Sequence, residues 1–98
     1  MRVKFHPEAR IDLREGKAFY RKRSPLAALA FAQQIDAAVA NIVEAPLRYA
    51  VGECGTRELV LPRRFPYTVV YRFRAEEIVI VAVAHHSREP GYWHQRMK

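Results

Sequence analysis

The spacing of apolar residues changes once along this chain, from a helical repeat before residue 46 to alternation after residue 56. The two parts therefore predict different secondary structure, helices first and strands second. Residues 46–56 carry one proline and two glycines without any periodicity, which predicts one long connection between the parts. A chain of 98 residues, half of them apolar, is long enough to bury one core. The sequence thus predicts a single α+β domain over residues 1–98.

Two helix-start signals lie in the first half of the chain. His6-Pro7-Glu8 places proline at the first helical position and an acid in the first turn, and Ser24-Pro25 repeats the signal with a hydroxyl cap. Helix one should run to about Arg23 and helix two should end before Pro46, so the two form a hairpin with almost no linker. The predicted core positions are Ala9, Leu13, Gly16 and Tyr20 on helix one, and Phe31, Ile35, Ala38 and Ile42 on helix two.

Four segments have the composition of β-strands: Arg2–Phe5, Arg57–Leu61, Tyr67–Arg74 and Ile78–Ala84. The last contains only β-branched and small residues, which predicts a central strand buried on both faces. Short connections at residues 62–66 and 74–77 favour antiparallel hairpins. The predicted fold is an N-terminal strand, a two-helix hairpin packed on a small antiparallel sheet, and a short C-terminal helix or turn that begins at Glu89-Pro90.

The cysteine content and the hydropathy pattern indicate the compartment. Cys54 is the only cysteine, so no intramolecular disulfide can form. Residues 1–7 lack the apolar run of a signal peptide, and no later stretch is expected to be long and apolar enough to cross a bilayer. These observations predict a cytoplasmic protein without membrane association.

The formal net charge is +7, and the charge is concentrated at both ends of the chain. Residues 1–23 hold eight Lys or Arg against three acids, and residues 57–98 hold eight against four, whereas residues 24–56 hold one against three. Such a balance favours an acidic partner, either nucleic acid or an acidic protein, although excess charge also serves solubility alone. On helix one, a basic stripe runs beside the core positions: Arg10, Arg14, Lys17 and Arg21.

Residues 85–96 carry the side chains best suited to chemistry. They include the adjacent imidazoles of His85 and His86, two guanidiniums and a phenol: Arg88, Arg96 and Tyr92. Histidine can act as a base or acid near neutral pH, arginine can clamp phosphate, and tyrosine can donate a proton or stack on a base. The alternative is structural: Tyr92 and Trp93 fold the tail back onto the sheet, and His85 lies at its rim.

Arg72 is the one arginine predicted in the middle of a strand. Its parity is opposite to that of Val69 and Tyr71, so it can point away from the face that carries the larger groups and join Arg57 and Arg88 over an open sheet face. The alternative is a surface arginine lying across apolar neighbours.

The sequence predicts no metal and no cofactor. His85 and His86 are adjacent on a strand and point to opposite faces, and the histidines lack the spacings of structural zinc sites. Cys54 lies in a glycine-flanked loop with no partner base evident, which does not favour a nucleophile.

Three segments together resemble the RelE/ParE superfamily of toxins, in particular the members called plasmid stabilisation proteins. They are FHPEARIDLREGKAFYRKRSPLAALAFAQQIDAAVANIVEAPLRY, RRFPYTVVYRF and EEIVIVAVAHHSREPGYWHQR. The resemblance implies a helical hairpin on a small antiparallel sheet, in agreement with the fold predicted from the residues. It further implies a toxin of a type II toxin-antitoxin module that inhibits bacterial growth unless its cognate antitoxin binds it in a hetero-oligomer.

The resemblance implies two alternative targets. RelE-like members cut messenger RNA on the ribosome, with the RNA 2′-hydroxyl as nucleophile, whereas ParE-like members poison DNA gyrase and are not nucleases. Tyr92 matches the tyrosine in the tail of RelE. The arginine in the tail of RelE aligns with His86, and Arg88 lies near that position. Thr68 stands where RelE has a sheet arginine, and residues 58–61 do not reproduce its pair of lysines.

The site predictions follow these two sources. An endoribonuclease would use His85, Arg88, Tyr92 and Arg72 in catalysis, with Arg57, His86 and Arg96 binding nucleic acid or another target. The stripe of Arg10, Arg14, Lys17 and Arg21 would bind an acidic and apolar segment of the antitoxin. The rival hypothesis is a degenerate toxin that has no target and only binds an antitoxin or repressor.

Overall fold

The chain folds as one sheet with a helical hairpin on one face, in a computed structural model that describes residues 1–97. In chain order the elements are β1 (Arg2–Phe5), α1 (Pro7–Arg21), α2 (Pro25–Glu44), β2 (Arg57–Val60), β3 (Tyr67–Arg74) and β4 (Glu77–His85). Two short 3-10 turns occupy Glu53–Gly55 and His94–Met97. The predicted α+β class and element order are confirmed.

Both helices begin where the sequence predicts. The His6 ring accepts a hydrogen bond from the Glu8 N–H at 3.1 Å, and the Ser24 hydroxyl accepts from the N–H groups of Leu26 and Ala27 at 3.1 and 3.3 Å. Proline follows each cap, so a missing N–H costs nothing at that position. The α1 helix ends at Arg21 rather than near Arg23.

The sheet has the strand order β1-β4-β3-β2. The predicted antiparallel neighbours β2, β3 and β4 are confirmed, and β4 is central. The sheet is nevertheless mixed, because β1 pairs with β4 in parallel. The helical hairpin and two strands separate β1 from β4 in the chain, so β4 can return beside β1 in the same direction.

The inner face of the sheet, formed by Tyr67, Val69, Tyr71, Ile78 and Ile80, packs against both helices. All four predicted core residues of α2 are buried: Phe31, Ile35, Ala38 and Ile42. By length and composition α2 is apolar enough to cross a membrane, contrary to the prediction from sequence. In this fold its most apolar side instead covers the sheet.

The outer face of the sheet is the opposite side, and the C-terminal tail, residues 86–97, covers its middle. Trp93 is 4% exposed and packs against Val70, Val81 and Ala82. Beyond these residues, toward the β3–β4 turn, the outer face carries charged side chains. The strand pairing shifts opposite Val70 and Tyr71, where Val81 has no partner on β3, and this bulge lies at the part of β4 that extends past β1.

Candidate functional site

Beyond residue 80, the edge of β4 that faces away from β3 binds side chains rather than another strand. The β1 pairing ends at Phe5 and Ile80, so backbone groups beyond residue 80 on that edge need other partners. The Asp12 carboxylate on α1 accepts from the Val83 N–H at 3.0 Å, and the Arg96 guanidinium donates to the Val81 carbonyl at 3.1 Å. Asp12 and Arg96 thus bind one N–H group and one carbonyl of this edge.

Asp12 and Arg96 also bind each other in a buried, two-pronged ion pair. Arg96 Nη1 lies 2.6 Å from Asp12 Oδ2, and Arg96 Nη2 lies 3.1 Å from Asp12 Oδ1. Only 8% of the Arg96 side chain and 4% of the Asp12 side chain are exposed. The pair fastens the end of the tail to α1, across 84 residues of chain.

Tyr92 belongs to the same cluster. Its hydroxyl donates to Asp12 Oδ2 at 3.1 Å. Burial, together with the negative charge of Asp12 and this hydrogen bond, raises the pKa of Tyr92 to about 12. Burial alone would lower the pKa of Arg96, but the hydrogen bond and charge of Asp12 outweigh burial and raise it. At neutral pH Tyr92 is therefore a neutral phenol and Arg96 a charged guanidinium, and both bind Asp12.

The two adjacent histidines, the last residue of β4 and the first residue after it, have separate partners. Nδ1 of His85 accepts from the Ser87 N–H at 3.0 Å and lies 2.7 Å from the Ser87 hydroxyl. Nδ1 of a neutral His85 is therefore unprotonated, and its Nε2 carries the proton. His86 Nε2 lies 2.9 Å from the Thr68 hydroxyl on the outer face.

Arg88 joins His85 at two neighbouring cavities. One, of about 260 Å³, lies on the outer side and is also lined by His86 and Tyr92. The other, of about 370 Å³, lies between α1 and the end of β4 and is also lined by Phe19. The Arg88 guanidinium lies 3.8 Å from the centre of the Tyr92 ring, which is a close cation–π contact.

The remaining predicted site residues lie apart from these cavities. Arg57 donates to the carbonyls of Tyr49 and Leu47 at 2.6 and 3.3 Å, and so holds the long connection against the sheet. Arg72 lies toward the β3–β4 turn, where it lines a cavity with Arg74. The structure brings together His85, His86, Arg88 and Tyr92, but not Arg57 or Arg72.

The basic stripe of α1 borders a groove between the two helices. Arg10, Arg14 and Arg21 are exposed, and Lys17 is half-buried. Lys17 and Arg21 line a cavity of about 350 Å³ whose other walls are the apolar residues Pro25, Ala28, Leu29 and Ala32. Leu26 and Leu29 are 76% and 54% exposed, so apolar surface adjoins the cations.

Asp12 is the functional residue that sequence reasoning misses. It lies between Ala9 and Gly16 on the face of α1 that packs on the sheet, and it is 6% exposed. An acid on the buried face of an amphipathic helix requires a buried partner. That requirement, together with the arginines of the tail, is the signal that could have found the Asp12–Arg96 pair.

The model of a toxin family matches residues 3–90, nearly the whole length of the chain. Its description is the ParE toxin of the type II toxin-antitoxin system parDE. The chain belongs to the ParE toxin family. The superfamily resemblance is thereby confirmed, and a ParE toxin of a type II system has an antitoxin partner.

One solved structure similar to this ParE family member comes from the "Chromosomal ParDE TA system from P. aeruginosa". The two sequences are 27% identical, and the match covers 87% of this chain and 95% of the other, with a TM-score of 0.75. No curated protein sequence matches the chain. The two chains share their fold over most of their lengths.

Proposed function

We propose that this chain, as a single domain, inhibits bacterial growth in the cytoplasm by poisoning DNA gyrase rather than by cutting messenger RNA. Its antitoxin would relieve that inhibition. The observation that carries the choice of target is the commitment of Tyr92 and Arg96 to Asp12. These two side chains would otherwise be natural parts of a phosphate-cleaving site.

A ribonuclease that uses the 2′-hydroxyl needs a base, a cation for the phosphorane charge and a proton donor. The Tyr92 hydroxyl already donates its proton to Asp12, and its pKa of about 12 opposes release of that proton. The charge of Arg96 is neutralised by the same carboxylate. Poisoning of gyrase requires a binding surface and no such catalytic set, so this arrangement favours it.

Ribosome-dependent cleavage of messenger RNA is the second candidate, and the cavity shared by His85 and Arg88 favours it. In that mechanism His85 would have to adopt the tautomer protonated at Nδ1, so that Nε2 is free to act as the base, and Arg88 would bind the phosphate. Tyr92 would serve as a stacking platform beneath Arg88, rather than as a proton donor.

Induced expression in a bacterium without the antitoxin separates the candidates. For gyrase poisoning, we expect growth arrest with gyrase-dependent DNA breaks while translation continues at first. His85→Ala and Arg88→Ala should remain toxic at wild-type expression. Early arrest of translation, cut messenger RNA and loss of toxicity in either variant would instead establish cleavage.

Unchanged growth at confirmed soluble expression would favour the degenerate toxin, which only binds an antitoxin or repressor. Circular dichroism and melting temperature of each variant show whether a loss of toxicity reflects lost folding. Trp93→Ala serves as the comparison for lost folding, since the Trp93 side chain is buried between the tail and the sheet.

The proposed antitoxin surface consists of Arg10, Arg14, Lys17 and Arg21 with the apolar groove beside them. An antitoxin segment with acidic and apolar residues would match both parts. Reversing Arg14 and Arg21 to Glu should slow association severalfold, and added salt should slow the wild-type protein in the same way. Reversal of Arg63 and Arg64, which are exposed on the β2–β3 connection, is the control with equal charge. Equal effects of the two double reversals would contradict this surface.

A further inference from the structure

We propose that the uncovered part of the outer sheet face binds the phosphodiester backbone of nucleic acid, a function separate from the antitoxin groove and from the residues around His85. This surface, the charged grid, consists of Arg2 and Lys4 on β1, Glu77 and Val79 on β4, and Arg72 and Arg74 on β3. It lies toward the β3–β4 turn, beyond the part of the face that Trp93 covers.

The register places these residues in two rows across three strands. Arg2, Glu77 and Arg74 are directly paired in one row, and Lys4, Val79 and Arg72 in the next. Paired residues point to the same side of a sheet, and Val79 packs with the outer-face cluster. The two rows therefore present four cations and one carboxylate on one flat surface.

The only carboxylate of the charged grid is shared by the cations of β1. Glu77 Oε2 lies 3.7 Å from Arg2 Nε and 3.4 Å from Lys4 Nζ. Those two cations stay largely in solvent, with side chains 75% and 56% exposed. Within residues 1–97, Arg72 and Arg74 form no ion pair, so the charged grid retains a surplus of positive charge.

Among the cations of the charged grid, Arg72 is the one with a buried polar atom left unsatisfied. Its Nε is buried and has no hydrogen-bond partner among residues 1–97. Arg96, in contrast, has both a carboxylate and a carbonyl as acceptors. An arginine that is partly buried against the sheet loses hydration, and without a counter-ion in the protein it gains no ion pair in return. Binding of an external anion would supply that ion pair. A cavity of about 370 Å³ adjoins it, lined also by Arg74, Glu77 and Val79.

The composition of the charged grid favours phosphate over an acidic protein. Protein interfaces place apolar and aromatic residues at the centre and few charges there. The charged grid has no aromatic side chain, and its one apolar residue, Val79, is half-buried. Arginine and lysine contacts to successive phosphates need no apolar centre and no base recognition. Arg72 and Arg74 lie two residues apart on β3, about 6.8 Å along the strand, which suits contacts to neighbouring phosphates.

The test is fluorescence anisotropy of the purified full chain with a labelled DNA duplex of arbitrary sequence and a single-stranded RNA of equal length. Arg72→Gln with Arg74→Gln should weaken binding roughly tenfold at low salt and reduce the salt-dependence slope by about 2. Arg14→Gln with Arg21→Gln on α1 removes the same charge from the other side of the molecule and should change the slope little. If the Arg72 variant fails to fold, Arg2→Gln with Lys4→Gln gives the same test on exposed side chains.

Glu77→Gln should change nucleic-acid affinity in the opposite direction. Removing the only carboxylate of the charged grid should tighten binding severalfold, whereas Glu15→Gln, an exposed acid of α1, should tighten it much less. Stronger binding of the duplex or of the RNA identifies which nucleic acid is the source of the phosphates. Absence of binding to both, or equal effects of matched variants on the two sides, would overturn the proposal.

Discussion

The two faces of the sheet are stabilised in different ways. The inner face is covered by two helices through many apolar contacts, including Phe31 with its ring centre 4.9 Å from that of Tyr67. The outer face is covered by one short tail, whose end is fastened by the Asp12–Arg96 pair. Contacts on the inner face are numerous, so each is a modest part of the total, whereas the outer face combines a small apolar cluster around Trp93 with a single buried ion pair. One fold thus combines a core that is distributed over many apolar contacts with a polar attachment of the tail through Asp12, Tyr92 and Arg96. We call this attachment the outer closure.

Removal of Asp12 should break the outer closure and have the largest effect. Asp12→Ala leaves the Arg96 charge buried without its partner, and we expect a loss of about 3–5 kcal/mol in the free energy of unfolding. Trp93 is the only tryptophan and packs the tail against the sheet, so its fluorescence should shift to the red before helical circular dichroism is lost.

Asp36→Ala is the matched control, because Asp36 is an exposed acid on α2, and its effect should stay within about 0.5 kcal/mol. Asp12→Leu combined with Arg96→Met should cost less than the sum of the single changes, since it removes both charges together. Similar stabilities of the Asp12→Ala and Asp36→Ala proteins would contradict the stabilising role of the outer closure.

Overpacking of the inner face should have a smaller effect. A Cβ at Gly16 would lie 2.8 Å from two ring atoms of Phe31 and 3.3 Å from the Tyr67 hydroxyl. Alanine favours a helix over glycine by about 1 kcal/mol, but overpacking costs about 1–3 kcal/mol, so Gly16→Ala should destabilise by about 1 kcal/mol in chemical denaturation. The further change Phe31→Leu makes room and should recover part of this loss. A more stable Gly16→Ala protein would show that the inner face adjusts more freely than its close contacts indicate.

An effect about as small is expected at Tyr92, in the outer closure. Tyr92→Phe removes one of several hydrogen bonds to Asp12 and should cost about 1 kcal/mol near neutral pH. The folded-state pKa of about 12 lies above the unfolded value of 10.0, so this contribution is complete below pH 10 and is lost as pH rises toward 12. The melting temperature of wild type should therefore fall more steeply than that of Tyr92→Phe across this alkaline range. If melting temperature falls with pH in parallel for the two proteins, the Tyr92–Asp12 hydrogen bond does not contribute to stability.

The inner face could be predicted from the sequence, because its signals are local. Proline after a capping residue at positions 7 and 25 gives the helix starts, and Phe31, Ile35, Ala38 and Ile42 repeat at helical spacing. The bounds of β3 are also those predicted, and each end of β4 is one residue longer. Periodicity reports which residues face a core, and the core here is the inner face.

The outer closure could not be predicted in the same way. Asp12 and Arg96 are 84 residues apart, and no local pattern records their pairing. Composition alone suggested Tyr92 and Arg96 as reactive groups, but composition does not reveal that an acid on α1 binds both. The parallel pairing of β1 was missed for a similar reason, because strand direction is set by the chain path between strands. The roles assigned to the predicted site residues stay predictions.

The position of β4 has a consequence for how the chain folds during its synthesis. This strand pairs with β1 and also supports the tail, yet it is the last of the four strands to be translated. The helical hairpin can form early from local contacts, but it has no complete surface to cover until β4 emerges. Because the outer closure needs Arg96, a nascent chain cannot reach this fold before residue 96 has been translated. An activity that depends on the whole fold is thereby delayed until that residue has been made.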